Sequence, residues 1–249
     1  MKSGNSTFTL AFTILSSLAG IACSADAPSA SVPPHVAWAE LAVETIDPAD
    51  NEYASTPSYI EWGGDNDAPL TKNRSVCATF LTLLLARSYD LAGPDFDAWM
   101  GSTSPNAGLY YQAIVGANQF DIVTTAPAIE IGDIIAIKYP AGSPSTGHVM
   151  VVTGSPVLRG PTPPILPGTS QYEVAIIDSS SSPHGPDDTR NLGGGAFDTG
   201  VGAGTFRLYT DSSGAIVGHA WSTEATSIDY TQGERGLAVG RLMDRGAAP

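Results

Sequence analysis

Ile134-Ile135-Ala136-Ile137-Lys138-Tyr139, then Pro140-Ala141-Gly142-Ser143-Pro144-Ser145-Thr146-Gly147, then His148-Val149-Met150-Val151-Val152 is the stretch that decides the fold. Two β-branched apolar runs flank a Gly, Pro and Ser segment, which is the pattern of a hairpin with a long loop. Gly132-Asp133 opens the first strand and Gly147 immediately precedes the second. Further along, Tyr172-Glu173-Val174-Ala175-Ile176-Ile177-Asp178 predicts a third strand, and residues 204–209, 215–221 and 237–242 predict others.

Upstream the character is different. Cys77-Ala78-Thr79-Phe80-Leu81-Thr82-Leu83-Leu84-Leu85 predicts a helix running to about Ser88 or Asp90, with shorter helices at 36–45, 95–100 and 110–115. One thiol-bearing helix ahead of an antiparallel sheet predicts an α+β layout. With 27 Gly and 19 Pro in 249 residues, long loops are expected between the elements, above all in the Gly, Ser and Asp-rich region 179–204.

Residues 1–22 have the pattern of a secretory signal: Lys2, the apolar run Phe8–Ala19, then small residues. The apolar run is too short to span a membrane. A Pro, Ala and Ser-rich tether follows over 23–35, and 36–249 is expected to form one domain. Cys23 stands where a bacterial lipoprotein keeps its lipid-bearing cysteine, although Gly20 replaces the usual aliphatic residue, so a lipid anchor at Cys23 is one expectation. An exported protein of the cell envelope, periplasm or medium follows from the signal. The net charge of −14 and the lack of a basic stripe argue against nucleic acid and anionic lipid as partners.

With Cys23 lipidated or removed, Cys77 is a single thiol that cannot form an internal disulfide. It is then either a small buried apolar residue or a nucleophile. A helix start favours the second, because free N–H groups and the positive dipole end stabilise a thiolate.

A nucleophilic thiol needs a base, and the chain has four histidines. His35 falls in the tether and is expected to face solvent, His184 lies in a loop, and His219 sits inside a strand as a structural residue. His148 opens a strand after a glycine, at the lip of the sheet, and is the favoured base. Asp178, at the end of the next strand, is the favoured residue to orient it, with His184 the next candidate. Arg190 reads as a member of a surface salt bridge. Asp65-Asn66-Asp67 lacks the glycine and distal glutamate of a calcium loop, and no His, Cys and Asp set has metal-ligand spacing, so neither metal nor cofactor is expected.

Tyr59-Ile60-Glu61-Trp62-Gly63-Gly64, Cys77 at a helix start, Gly132-Asp133-Ile134-Ile135-Ala136-Ile137 and Gly147-His148-Val149-Met150-Val151-Val152 together resemble the NlpC/P60 family of papain-like cysteine peptidases. The likeness spans roughly residues 57–180 and lies in the order and spacing of the four motifs. Around the thiol the chain reads Ser75-Val76-Cys77-Ala78-Thr79 where the family has Asp-Cys-Ser-Gly. The resemblance implies a papain-like fold, with the nucleophile-bearing helix packed on an antiparallel sheet. It also implies Cys77 as nucleophile, His148 as base, Asp178 as third residue and Tyr59 on the oxyanion side of the site. Hydrolysis of amide bonds in cell-wall peptidoglycan peptides would be the activity. An amidase, transacylase or toxin with other substrates stays open. So does a binding module in which Cys77 is core and Tyr59, Trp62, Tyr110 and Tyr111 line a groove.

Overall fold

The computed structural model describes residues 32–65 and 70–243. The signal segment, Cys23 and the loop residues Asn66 and Asp67 lie outside the described residues. The first helix, α1 (Pro34–Thr45), begins inside the expected tether with proline in its first turn, a position where the missing N–H costs nothing. His35 is buried, bonded through Nδ1 to the Tyr89 hydroxyl (2.6 Å) and through Nε2 to the Gly132 carbonyl (2.8 Å), and does not face solvent as expected.

Strands β1 (Ile46–Glu52), β2 (Tyr59–Glu61) and β3 (Thr71–Arg74) form a small sheet in the order β1-β3-β2. Helices α2 (Cys77–Tyr89), α3 (Gly93–Met100) and α4 (Ala107–Val115) follow. Asp90 in the left-handed conformation ends α2, and the Asn106 side chain caps α4 by accepting the Leu109 N–H.

The remainder is β. Strands β4 (Phe120–Val123), β5 (Ile134–Lys138), β6 (Gly147–Val152), β7 (Val157–Arg159), β8 (Ser170–Ser180), β9 (Asn191–Gly193), β10 (Ala196–Phe197), β11 (Gly200–Thr210), β12 (Ile216–Ala220), β13 (Asp229–Thr231) and β14 (Gly236–Leu242) succeed one another. A nine-stranded antiparallel sheet has the order β13-β12-β11-β8-β6-β5-β14-β4, with β7 pairing on β8.

This architecture overturns the α+β, papain-like arrangement expected from the sequence. The described residues form fourteen strands and four short helices, and the large sheet dominates. The difference lies in the short strands β1 to β4, β7, β9, β10 and β13, none of which was expected, and in 200–204, whose composition suggested loop. Glycine in a strand also marks close approach of other groups. Here Gly200, Gly202 and Gly204 let β11 pair along its whole length with β8, from Ser180↔Gly200 to Ser170↔Thr210. A Cβ on Gly202 would lie 2.5 Å from Arg190 Nε, and one on Gly204 2.5 Å from Asp188 Oδ2.

Alternation along the strands divides the core. Ile134, Ala136, Val149, Val151 and Ile177 face Phe80, Leu81 and Leu84 of the helices. Ile135, Ile137, Met150, Val152, Val174 and Ile176 face the other way and pack with Phe206 and Leu208.

A gap in the large sheet positions the site. The β5 and β6 ladder continues to Lys138↔Gly147, but β6 and β8 pair only at Val151↔Ile177 and Val152↔Ile176. Beyond that rung the two strands splay. Gly147 turns the chain into β6 at φ 152°, and a Cβ there would collide with the Ile137 carbonyl oxygen. Gly147→Ala is therefore expected to cost about 2–4 kcal/mol in urea unfolding, from strain plus overpacking.

Candidate active site

Cys77 stands at the first turn of α2, whose early N–H groups have no partner within the helix. Two contacts fix this helix end. The Ser179 hydroxyl donates to the Ser75 carbonyl (2.7 Å), tying it to β8, and the Ser75 N–H donates to the Glu52 carbonyl (3.2 Å), tying it to β1. The thiol is free of any disulfide and 5% exposed.

The splayed strands explain what the thiol meets. Val152 N–H bonds across to Asp133 on the β5 side and Thr153 N–H to Ala175 on the β8 side. Alternation then points the Val149 N–H toward β8, where the ladder has ended. The Cys77 sulfur meets that N–H and the His148 imidazole, and both interactions favour the thiolate. Burial pushes the thiol up, but the His148 charge, its hydrogen bond and the Val149 N–H overcome this and the net shift is downward.

His148 Nε2 lies 2.5 Å from Asp178 Oδ2, which leaves Nδ1 for the thiol. Burial disfavours the imidazolium, yet the Cys77 thiolate and the Asp178 carboxylate raise His148 to about 10. His148 is therefore imidazolium at neutral pH, and its charge favours the thiolate form of Cys77.

Asp178 is fully buried and holds more than His148. Its Oδ2 also accepts from His184 Nε2 (2.9 Å), while His184 Nδ1 donates to the Trp221 carbonyl (2.6 Å). Arg190 Nη2 lies 2.9 Å from Asp178 Oδ1, a charge contact without hydrogen-bond alignment, because the aligned guanidinium N–H groups go to Asp188 at 2.9 and 2.7 Å. Burial would raise the Asp178 carboxyl, but the Arg190 and His184 charges and both imidazole bonds hold it well below the usual carboxylate range. His148 meets Trp221 edge-on at 4.9 Å, and His184 stacks on the same indole at 4.0 Å.

The residues expected at the site meet it unevenly. The structure brings Cys77, His148 and Asp178 together, and places His184 on Asp178 as well. Arg190 is not on the surface as expected: it is 2% exposed inside this network. Tyr59 does not reach the thiol. It is 41% exposed on β2, opposite Arg74. The tyrosine that meets Cys77 is Tyr53, just past β1, whose own ionisation is pushed up by burial and by the thiolate. Asn51 sets its position by bonding the Val201 carbonyl and N–H, both at 2.8 Å, as a strand backbone would. No local pattern marks Tyr53, because its approach to Cys77 depends on that tertiary link; Trp221 did carry a signal, as the neighbour of a strand histidine. Trp62 and Tyr110 are core residues, so the aromatic groove considered for a binding module does not form from them.

If Tyr53 donates to the thiolate, Tyr53→Phe moves the pH midpoint of Cys77 alkylation upward, and Tyr59→Phe leaves it in place. Loss of one hydrogen bond to a charged group is worth about 1.5–3 kcal/mol, or one to two pH units.

The Nε2 atoms of His148 and His184 and the Asp178 carboxylate lie within 4.8 Å of one another, close enough for a metal ion. The Arg190 guanidinium on the same carboxylate and the short His148 and His184 bonds to it suit a hydrogen-bonded network rather than a cation.

A cleft of about 540 Å³ opens beside the network, lined by His148, Tyr53, Trp221 and Ser180 among others. Tyr53 and His148, the two side chains that meet Cys77, form part of this wall.

No family model and no solved structure matches the chain. It is 31% identical over 229 residues to the uncharacterized protein R653 of Acanthamoeba polyphaga mimivirus, covering 84% of this chain and 96% of that protein. This chain belongs to the same family as mimivirus protein R653.

Proposed function

We propose that this protein is an exported cysteine hydrolase that cleaves amide bonds, with peptidoglycan peptides as its substrate. The single observation that carries the reading is the contact of Cys77 with His148, whose other nitrogen is held at 2.5 Å by the buried Asp178. A nucleophile, a base and a group that orients the base are what acyl transfer through a thiol requires.

In this reading the Cys77 thiolate attacks the amide carbonyl and forms a C–S bond. His148 gives its proton to the departing amine as the C–N bond breaks; the neutral imidazole then takes a proton from water, whose oxygen attacks the thioester carbonyl, and the C–S bond breaks to release the acid and return the thiolate and imidazolium. The helix-start N–H of Cys77 is the oxyanion donor. Asp178 keeps His148 in the tautomer with its proton on Nε2 and stabilises the imidazolium. Export rests on residues 1–22, and the peptidoglycan substrate rests on the four-motif resemblance.

The 5% exposure of Cys77 is the observation that favours the other reading, a binding module with a core cysteine. Alkylation separates the two. A thiol held down by His148 reacts with iodoacetamide nearly as fast at pH 6 as at pH 8, because it stays ionised below the ordinary thiol value of about 8.5. A rate that climbs about tenfold per pH unit across that range would overturn the hydrolase reading. Peptide fragments released from cell wall, identified by mass spectrometry, test the substrate.

A further inference from the structure

Tyr139, Tyr230, Arg235 and His219 also line the cleft. The Arg235 guanidinium carbon lies 4.2 Å from the Tyr139 ring centre and 3.7 Å from that of Tyr230, so two aromatic faces clamp it. Such a clamp satisfies the flat faces of the guanidinium and leaves its edge of N–H donors for another group.

Among the described residues, no carboxylate lies within ion-pair distance of Arg235. In a chain with 25 acidic and 11 basic residues, leaving an arginine without one is a selective arrangement. Glu224, the acidic residue on the cleft wall, engages Arg207 and Ser222 through its backbone. Beside Arg235 is His219, which is buried, makes no hydrogen bond through Nδ1, and is stacked between Phe206 and Tyr230. A clamped cation and an imidazole with an unpartnered nitrogen therefore share the cleft that His148 and Tyr53 also line.

We propose that this part of the cleft is a subsite for a carboxylate of the substrate, with Arg235 as the residue that selects it, so that the preferred substrates are peptides bearing a free carboxylate near the cleaved amide. The proposal rests on the hydrolase reading. Arginine binds a carboxylate through two parallel N–H donors, and a partly buried cleft strengthens that bond relative to water.

The test compares alkylation of Cys77 by iodoacetate, which carries a carboxylate, with alkylation by neutral iodoacetamide, in the full chain and in Arg235→Gln and Arg235→Lys. The iodoacetamide rate normalises each variant, so a misfolded protein loses both reactions. The expected result is a ratio of iodoacetate to iodoacetamide rates that falls about tenfold in Arg235→Gln, the scale of one charge-assisted hydrogen bond, and falls less in Arg235→Lys, which keeps the charge without the fork. An unchanged ratio in Arg235→Gln with both reagents reacting overturns the subsite and leaves the thiol chemistry standing. If neither reagent reacts with the native chain, the hydrolase reading fails, and binding decides the subsite alone. N-acetylglycine should then shift the His219 ring resonances at concentrations where N-acetylglycinamide does not, and should do so only with Arg235 present. Equal effects of the two probes would overturn it.

Discussion

Replacing Cys77 by serine is expected to lower release of peptide fragments from cell wall by at least about a thousandfold, and replacing His148 by alanine by about a hundred- to ten-thousandfold. The two losses have different causes. Serine has a far higher pKa than a thiol, and the His148 and Val149 contacts that stabilise a thiolate do not suffice to ionise it. His148→Ala removes both the charge that holds the thiol down and the proton donor for the amine. In that variant the thiol, still buried, moves up, so its alkylation at pH 6 falls along with turnover. The double variant is expected to lose little beyond the worse single one, because residues acting as a unit are not additive. Activity equal to the native chain in both single variants, with native circular dichroism, would sink the proposed chemistry.

The second large effect is on stability. Arg190→Leu leaves Asp178 and Asp188 buried without their shared cation, and an uncompensated buried charge costs about 3–5 kcal/mol. Lys72→Met, which removes a half-exposed contact to Asp50 at 3.8 Å, is expected to cost under about 1 kcal/mol. Urea unfolding of the two variants side by side makes the comparison. Equal, small losses would show that Arg190 is not needed to neutralise the pair. The pH dependence has a definite sign as well. A carboxyl held below its unfolded value, as Asp178 is, contributes stability that is complete above the unfolded pKa of about 3.9 and is lost as pH falls through the folded one. Native stability should therefore drop on acidification below about pH 4, and the Arg190→Leu variant, whose Asp178 has lost its largest favourable charge, should lose its share at a higher pH.

What could be read along the chain were features that local chemistry writes directly. The apolar run after Cys77 makes a helix because its residues are good helix formers, and the β-branched apolar runs 134–138 and 147–152 make a hairpin because a Gly, Pro and Ser turn segment separates them. A lone thiol at a helix start and a histidine at a strand start are likewise visible without coordinates. The region 179–204 was illegible for a physical reason. Glycines 200, 202 and 204 look like loop when read singly, and in β11 the space their missing side chains leave is taken by Asn51, Arg190 and Asp188 in turn.

The sequence by itself determined which residues could meet: one thiol, a histidine placed at a strand opening, and a carboxylate at a strand end. The tertiary structure alone decided how they are used. It ends the β6 and β8 ladder at Val151, before His148 is reached, so that the Val149 N–H meets sulfur, and it brings Tyr53 rather than Tyr59 to the thiol through Asn51. It also buries Arg190 beneath Asp178 and leaves Arg235 open to the cleft. Those outcomes depend on contacts between residues far apart in the chain, and local propensity carries no information about which distant partner will neutralise a charge or accept a proton.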